Sequence, residues 1–247
     1  MTDTSFLTRD DGTRLAYAHS PGSGPGIVFL AGFNSNMGGD KALALEHWCR
    51  EQGRQFTRFD YFGHGQSSGT LAEGSIGRWR DDTIAIIEQL TSGPQLLVGS
   101  SMGGWLMLLV AIARPERVTA LCGIAAAPDF TERLHDQRLN EQQRRELSET
   151  GFCELPNHYD DGEPHRISRY LLEEGATHRV LHSEIAIDVP VRLIHGQCDD
   201  DVPWQLSLEI AQQLRSSDVE VQLVKNGDHR LSTPRDIERL LRTVALL

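Results

Sequence analysis

Hydrophobic positions along the chain follow two alternating patterns. Short continuous apolar runs are typical of strands buried on both faces of a sheet, whereas apolar residues recurring every three or four positions indicate amphipathic helices. The runs predict strands at 27–30, 56–59, 96–98, 118–124, 191–194 and 219–224. The helical periodicity predicts helices at 41–52, 77–90, 102–113, 203–214 and 234–246.

Strands that alternate with helices predict an α/β fold, with a mostly parallel open sheet and helices on both faces. Before the first buried strand, an apolar and polar alternation turns at Asp10-Asp11-Gly12 and resumes at Leu15. This pattern indicates a hairpin, which we expect to add an antiparallel edge to the sheet. Pro203 and Pro234 are expected in the first turns of their helices, where no backbone donor is lost.

The segment 129–182 interrupts this alternation. It is rich in charge, contains no strand-like run, and has amphipathic stretches at 131–150 and 166–174. Because a structureless connection of that length is unusual in a compact domain, we predict a helical cap over an active site. The sequence thus predicts a core formed by residues 1–128 and 183–247, with 129–182 inserted as the cap.

Composition limits the partners and the location that the sequence favours. A chain of 247 residues fits one large domain, and its formal net charge of −11 argues against a nucleic-acid or anionic-membrane surface. No apolar stretch approaches the ~20 residues that span a bilayer, and the first residues lack the basic charge of a secretory signal. We therefore expect a cytoplasmic protein without stable membrane insertion.

The cysteines indicate neither a metal site nor a disulfide framework. Cys49, Cys122, Cys153 and Cys198 show no metal-ligand spacing, and Cys122 lies within a predicted buried strand. A domain of this size buries enough surface to fold without such support. We expect a reducing compartment and no bound metal.

A serine lies at the predicted junction between the strand at 96–98 and the helix at 102–113. The string Gly99-Ser100-Ser101-Met102-Gly103 fits G-x-S-x-G with Ser101 at its centre. A strand that turns sharply into a helix leaves little room, so glycines flank the residue whose side chain is exposed at the carboxyl edge of the sheet. We predict Ser101, rather than its neighbour Ser100, as a nucleophile.

Two backbone N–H groups are expected to form an oxyanion hole. The Met102 N–H lies at the start of a helix, where unpaired donors and the positive end of the dipole favour negative charge. The Phe33 N–H follows the first buried strand, at the position that such a serine turn usually pairs with its second donor. Each donor aimed at the oxyanion can contribute about 10²–10³ in rate.

Acid and base candidates follow the last two predicted strands. In folds with this serine turn the order along the chain is nucleophile, acid, base. The spacing His-Gly-x-x-Asp-x-x-Val-Pro after the strand at 191–194 selects Asp199 as the acid. His229, which follows the strand at 219–224, is the histidine that meets the order rule as the base.

Other polar residues near these positions are expected to be structural. Asp200 and Asp201 are expected near the start of the next helix, where carboxylates accept backbone N–H bonds and complement the dipole. Asp129, at the end of another strand, is the alternative acid. His195 is expected to stabilise a turn, and His64 to pack beside the site.

Together these residues resemble the α/β-hydrolase superfamily, from the first hairpin to the last helix. A closer similarity is to the branch of palmitoyl-protein thioesterases and acyl-glucuronide esterases, which remove acyl groups from protein cysteines and cleave certain glucuronide esters. The resemblance implies Ser101 as nucleophile, Asp199 as acid and His229 as base. The strings that carry it are Lys41-Ala42-Leu43-Ala44-Leu45-Glu46, Arg58-Phe59-Asp60-Tyr61, Gly99 to Met107, Ala113-Arg114-Pro115-Glu116, Asp199-Asp200 with Val202-Pro203-Trp204, and Asp228-His229-Arg230.

The expected function is that of a serine hydrolase that cleaves a small-molecule ester or an S-acylated substrate through an acyl-enzyme, with no cofactor. A carbon–carbon bond hydrolase or a lipid esterase with the same triad is an alternative. A non-catalytic ligand receptor built on this fold is a less favoured one, since binding alone does not need the three residues together. The sequence indicates neither the acyl length nor the oligomeric state.

Overall fold

The structure is a computed structural model that describes residues 2–156 and 164–247 of the chain. The strands within these ranges are β1 (Ser5–Thr8), β2 (Arg14–Ser20), β3 (Ser23–Leu30), β4 (Arg54–Phe59), β5 (Gln95–Ser100), β6 (Val118–Ile124), β7 (Phe152–Leu155), β8 (His165–Ser168), β9 (Val191–Gly196) and β10 (Val219–Val224). The α-helices are α1 (Asp40–Glu51), α2 (Ile76–Leu90), α3 (Met102–Ala113), α4 (Phe130–Arg133), α5 (Glu141–Thr150), α6 (Arg169–Gly175), α7 (Gln205–Gln213) and α8 (Pro234–Val244).

Eight strands form one sheet in the order β1-β2-β4-β3-β5-β6-β9-β10. The strands from β4 to β10 in this order pair in parallel, and β1 and β2 add an antiparallel edge. The predicted α/β fold and its hairpin edge are therefore confirmed. Because parallel strands run in one direction, β3, β5, β9 and β10 all deliver their following loops to the same edge of the sheet.

The centre of the core is the pairing of β5 with α3. Every residue of β5 is buried, and α3 is buried on nearly all sides, which is the environment expected for a helix that is apolar all round. Two glycines of α3 allow it to lie close to Leu30 of β3 and to Ala126, which follows β6. A methyl group on Gly104 would lie 2.5 Å from the Cβ of Ala126, and one on Gly103 would lie 2.1 Å from the Leu30 carbonyl oxygen.

The two prolines behave differently. Pro234 occupies the first turn of α8, as predicted, and Thr233 caps that helix by accepting the Asp236 N–H. The prediction for Pro203 is wrong, because α7 begins at Gln205. The Leu206 N–H instead bonds the Pro203 carbonyl at 2.9 Å, so the proline belongs to the turn that precedes the helix.

The predicted cap segment, residues 129–182, contains more than helices. After α4 come a single π-helical turn at Leu134–Arg138 and then α5, which Asn140 begins by capping the Gln143 N–H. The expectation of no strand is wrong, because β7 and β8 form a separate antiparallel pair. Each has only four residues, too few for alternation to distinguish a strand from a helix. Residues 157–163 of this segment lie outside the described residues.

The two ends of this segment meet at one carboxylate. Asp129, which follows β6, accepts hydrogen bonds from the N–H groups of Val180 at 2.9 Å and Leu181 at 3.0 Å. On the far side, Glu174 of α6 accepts the Gly77 N–H at the start of α2, at 2.9 Å. The segment is therefore fastened to the core at both places. No helix in the described part of the chain combines the length and the apolar character needed to cross a bilayer.

Candidate active site

Ser101 occupies a strained turn between β5 and α3. Its φ of 53° and ψ of −117° lie in a region that non-glycine residues rarely adopt. The conformation is held by the surrounding backbone, since the Ser101 N–H donates to the Ile124 carbonyl at 2.9 Å and the Ser101 carbonyl accepts from Ala127 at 3.0 Å. Gly99 is needed here because a methyl group would meet the Gly103 carbonyl oxygen at 2.3 Å. Ser100, by contrast, is the last residue of β5.

The three predicted catalytic side chains form a continuous hydrogen-bonded chain. The Oγ of Ser101 lies 3.1 Å from Nε2 of His229, and Nδ1 of His229 lies 2.8 Å from Oδ2 of Asp199. A carboxylate only accepts, so Nδ1 of His229 carries the proton and Nε2 is left to accept the hydroxyl of Ser101. The residues follow β5, β10 and β9, and their meeting depends on the shared edge of the sheet. Their catalytic roles stay predictions.

Asp199 is a fully buried carboxylate surrounded by donors. Its Oδ1 accepts the backbone N–H groups of Asp201 at 2.9 Å and Val202 at 2.8 Å, and its Oδ2 accepts from the imidazoles of His195 and His229. Burial raises the pKa of Asp199, but the hydrogen bonds from the two histidines and Val202, with the nearby charge of His229, outweigh it and hold the pKa below its usual range. The group is therefore ionised at neutral pH.

His195 has a larger part in the site than its predicted role as a turn residue. The ring is fully buried, and its Nε2 lies 3.1 Å from both Oδ2 of Asp199 and the Val202 carbonyl. Both partners are acceptors, so Nε2 carries the proton and Nδ1 accepts from the Ser207 hydroxyl at 2.7 Å. His195 thus orients the carboxylate that orients His229. The signal in the sequence was its place near the end of β9, four residues before Asp199.

The two predicted oxyanion donors lie on either side of Ser101. Met102 is the first residue of α3, where backbone N–H groups have no partner within the helix. The loop that carries Phe33 runs beside the nucleophile, because a methyl group built on Gly32 would lie 3.5 Å from the Cβ of Ser101. Within residues 2–156 and 164–247, the Phe33 N–H has no acceptor. Its role as an oxyanion donor stays a prediction.

The alternative residues have other partners. Asp129 bonds Val180 and Leu181 rather than a histidine of the site. The expectation that Asp200 and Asp201 stand near the start of a helix as its N-terminal carboxylates is not met, because α7 begins at Gln205 and Asp201 instead pairs with Arg138 of the cap segment at 3.4 Å. Both aspartates line the cavity beside the triad.

A cavity of about 790 Å³ opens beside Ser101. This volume is within the usual range for small-molecule sites. The core contributes the triad and the loop after β3, while the cap segment contributes apolar side chains. The apolar residues that line it include Phe33, Met102, Phe130, Leu134, Leu155, Ile167, Val202, Trp204 and Leu206.

Among the residues that the structure describes, two groups of carboxylates and imidazoles are close enough to share a cation. One is formed by Asp129, Glu132 and His182, and the other by Asp199, Asp201 and His229. In the first, Glu132 already pairs with Arg179 at 2.7 Å and its second oxygen lies 3.1 Å from His182. Asp129 and Glu132 in the first group, and Asp199 in the second, already accept hydrogen bonds from protein donors, which favours hydrogen bonding over metal ligation at these oxygens.

Comparisons with known proteins agree with the fold. Residues 27–242 match the model of the alpha/beta hydrolase family. The Bos taurus protein named "Palmitoyl-protein thioesterase ABHD10, mitochondrial" is 45% identical over 243 residues, covering 98% of this chain and 79% of the bovine protein. Alpha/beta hydrolase domain-containing protein 10 from mouse has a TM-score of 0.91 and 45% identity, covering 99% of this chain and 97% of the mouse chain. A putative hydrolase from Agrobacterium vitis S4 has a TM-score of 0.94 and 35% identity, covering 100% of this chain and 98% of the Agrobacterium chain.

The expected cytoplasmic location is contradicted by these relatives. The bovine protein and relatives from rat and human, 43% to 46% identical to this chain, carry "mitochondrial" in their names. Net charge and cysteine usage describe the folded domain and carry no information about which compartment holds it. Composition therefore had no means of separating the two locations.

Proposed function

This chain belongs to the alpha/beta hydrolase family, and from that premise we propose that it is a serine hydrolase that cleaves esters or thioesters through an acyl-enzyme intermediate. The observation that carries the proposal is the hydrogen-bonded chain from Ser101 through His229 to Asp199. Binding alone does not require a hydroxyl, a base and a buried carboxylate in this order.

In the proposed reaction, Oγ of Ser101 attacks the carbonyl carbon of the substrate while Nε2 of His229 takes the hydroxyl proton. The Phe33 and Met102 N–H groups stabilise the oxyanion that forms. The carbon–oxygen or carbon–sulfur bond then breaks, and the leaving alcohol or thiol takes the proton from His229. Water then attacks the acyl-enzyme while the same imidazole takes its proton. The bond between the acyl carbon and Oγ breaks, Oγ of Ser101 takes the proton back from His229, and the acid leaves.

Asp199 would act through its charge and its geometry. Because it accepts the Nδ1 proton, it selects the tautomer of His229 that is able to take a proton at Nε2. Its lowered pKa keeps it ionised throughout the cycle, so it stabilises the imidazolium without taking up the proton. His195 supports this role by fixing the direction of the same carboxylate oxygen.

For the substrate, we favour a thioester or ester with a hydrophobic acyl chain, carried by an S-acylated protein or a small molecule. The support is the name of the bovine relative, a palmitoyl-protein thioesterase, and the apolar wall that the cap segment adds to the cavity. We also propose that residues 129–182 act as a lid that selects the acyl group, since they supply Phe130, Leu134 and Ile167 to that wall.

The nucleophile is tested by Ser101→Ala. Removing the nucleophile from such a triad costs on the order of 10⁶ in kcat, so hydrolysis of a short p-nitrophenyl ester should fall to background. Wild-type protein should be labelled by a fluorophosphonate probe and the variant should not. Ser100→Ala is the matched control and should keep its activity and labelling. Substantial turnover by Ser101→Ala would end the proposal.

The substrate class is tested with a series of acyl thioesters of increasing chain length, run beside p-nitrophenyl esters and a carbon–carbon bond substrate such as a diketone. We expect turnover of the esters and thioesters but not of the diketone. Ile167→Phe puts a larger side chain into the apolar wall and so narrows the cavity. It should therefore lower kcat/KM for substrates with long acyl chains and leave kcat/KM for short-chain substrates unchanged. Tight binding of every substrate with no turnover would favour a receptor instead.

A further inference from the structure

The loop after β3, which carries Phe33, is hydrogen-bonded to side chains at the end of β4 and just after it. Tyr61 donates its hydroxyl proton to the Ala31 carbonyl at 3.2 Å. Asp60 accepts the Met37 N–H at 2.6 Å, and Arg58 donates to the Met37 carbonyl at 3.2 Å. Both ends of the loop are therefore bound by side chains from the last part of β4 and the two residues that follow it, which fixes the loop against the core.

The centre of this loop is held by His64. Its Nε2 accepts the backbone N–H of Asn34 at 3.2 Å, and its Nδ1 lies 3.1 Å from the Phe62 carbonyl, an arrangement that requires the proton on Nδ1. The ring is 3% exposed, and burial lowers its pKa to about 4. His64 therefore stays neutral at physiological pH and keeps the acceptor that Asn34 needs.

The cap segment contacts Asn34 through its side chain. Nδ2 of Asn34 lies 2.9 Å from Nδ1 of His165, the first residue of β8. An amide nitrogen only donates, so Nδ1 of His165 is the acceptor. The His165 ring also packs edge-on against Phe33, with 6.1 Å between ring centroids. Asn34 has a φ of 54°, in the left-handed region that asparagine tolerates better than most residues.

From this geometry we infer that Asn34 is a positioning residue through which His64 of the core and His165 of the cap segment jointly set the Phe33 N–H against the oxyanion. The inference rests on the proposed function, because it needs Phe33 to be an oxyanion donor. It adds a regulatory link to that function. The oxyanion hole is complete only when the cap segment is seated, so cap placement controls the chemical step as well as access to the cavity.

The cap segment can affect the chemical step because an oxyanion donor is sensitive to its distance and direction from the oxyanion. A donor stabilises an oxyanion when it lies about 2.7–3.1 Å from that oxygen, and losing one donor outright costs about 10²–10³ in kcat. Phe33 and Asn34 share a peptide bond, so a rotation of Asn34 turns the neighbouring backbone. Freeing one side of Asn34 should misalign the donor without removing it, which predicts a loss of about five-fold, the size expected for one neutral hydrogen bond.

Two substitutions at His165 separate the hydrogen bond from the packing. His165→Phe keeps a ring against Phe33 and removes the acceptor, whereas His165→Asn places a carbonyl oxygen near the former position of Nδ1. We expect His165→Phe to lower kcat for a short p-nitrophenyl ester about five-fold with little change in KM, and His165→Asn to stay within two-fold of wild type. His135→Ala, a cap-segment histidine paired with Asp136 and outside the cavity lining, is the matched control.

The inhibition constant of a transition-state analogue distinguishes a positioning role of His165 from a purely structural one. An alkyl trifluoromethyl ketone adds to the serine and forms an oxyanion, so its inhibition constant reports on the oxyanion hole. For His165→Phe this constant should rise by the same factor by which kcat/KM falls, while the melting temperature changes little. A lower melting temperature with unchanged kcat and inhibition constant would overturn the inference in favour of structural support.

A double-mutant cycle tests whether the effect runs through Asn34. Asn34→Gly removes the amide and tolerates the positive φ, so it should lower kcat to a similar extent as His165→Phe. If both act on one hydrogen bond, the double variant should be no slower than the slower single variant. Multiplicative losses would overturn the inference. Failure of Ser101→Ala to abolish activity would instead refute the proposed function, and the two failures are therefore distinguishable.

Discussion

Replacing the Asp199 carboxylate with an amide leaves one acceptor oxygen for four donors. In the wild-type protein, His195 and His229 donate to Oδ2, and the N–H groups of Asp201 and Val202 donate to Oδ1. Asparagine has to turn its NH₂ group toward one of these pairs. Each orientation has a separate, measurable cost.

If the oxygen stays with the backbone pair, the amide NH₂ faces the two histidines. Nδ1 of His229 must then become an acceptor, which moves its proton to Nε2 and removes the base from Ser101. The same tautomer defect in a serine protease triad lowers kcat by about 10⁴, or roughly 5.5 kcal/mol in the barrier. If the oxygen turns to the histidines, the donors of Asp201 and Val202 lose their partner, at about 1–3 kcal/mol of folding stability each.

We therefore expect Asp199→Asn either to lower kcat by about 10³–10⁴ or to destabilise the fold by about 2–6 kcal/mol for the two unpaired donors together. The second outcome lowers the melting temperature of a domain of this size by at least roughly 4–8 °C. The assay is kcat with a p-nitrophenyl ester, paired with thermal unfolding of the same preparation. Asp129→Asn is the matched control, because its oxygens bind only backbone N–H groups away from the triad. Wild-type kcat and melting temperature in Asp199→Asn, with a crippled Asp129→Asn, would refute the reasoning.

Three further outcomes follow from the structure. Gly103→Ala should destabilise the protein by about 1–3 kcal/mol in urea unfolding, because the methyl group would lie 2.1 Å from the Leu30 carbonyl; Gly39→Ala, whose methyl group would meet only a carbonyl oxygen at 3.8 Å, should be near neutral, and equal midpoints would contradict this. The pKa of His64 falls to about 4 on folding, so its neutral ring contributes fully to the free energy of unfolding above pH 6.5, and roughly 3 kcal/mol of that free energy is lost as the pH falls toward 4. In His64→Asn the free energy of unfolding should depend less steeply on pH between these values, by the slope that corresponds to about one bound proton. An unchanged slope would contradict this. Iodoacetamide should modify the exposed Cys198 first in the native protein, as peptide mass mapping would show, whereas the other three cysteines are buried.

The junction around Ser101 was predictable because its causes are local. A continuous apolar run, a tight turn and an apolar helix follow one another without a break, and the glycines have to be there because any side chain would collide with neighbouring backbone. Asp199 and His229 lie far away along the chain, yet their approach was predictable as well. Parallel strands end at one edge of the sheet, so residues that follow different strands are brought together by topology alone.

The remaining features depend on contacts that leave no local pattern. The hydrogen bond between Asn34 and His165 joins residues 131 positions apart, and His165 lies in a four-residue strand of the cap segment that periodicity did not reveal. The second hydrogen bond on Asp199 was equally hidden, because a histidine before a glycine also suits an ordinary turn. Pro203 shows why the first residue of a helix is hard to predict. A proline two residues before α7 satisfies the same local preference as a proline in its first turn.

The closure at Asp129 has a consequence for how such proteins diversify. Its carboxylate joins the start of the segment to N–H groups 51 and 52 positions later, so the segment leaves and returns to one place beside the end of β6. Lengthening a loop whose ends are already together costs little, about 0.6 kcal/mol for each doubling. The length and sequence of the intervening residues can therefore change at little cost in folding free energy, without moving the strands that carry Ser101, Asp199 and His229.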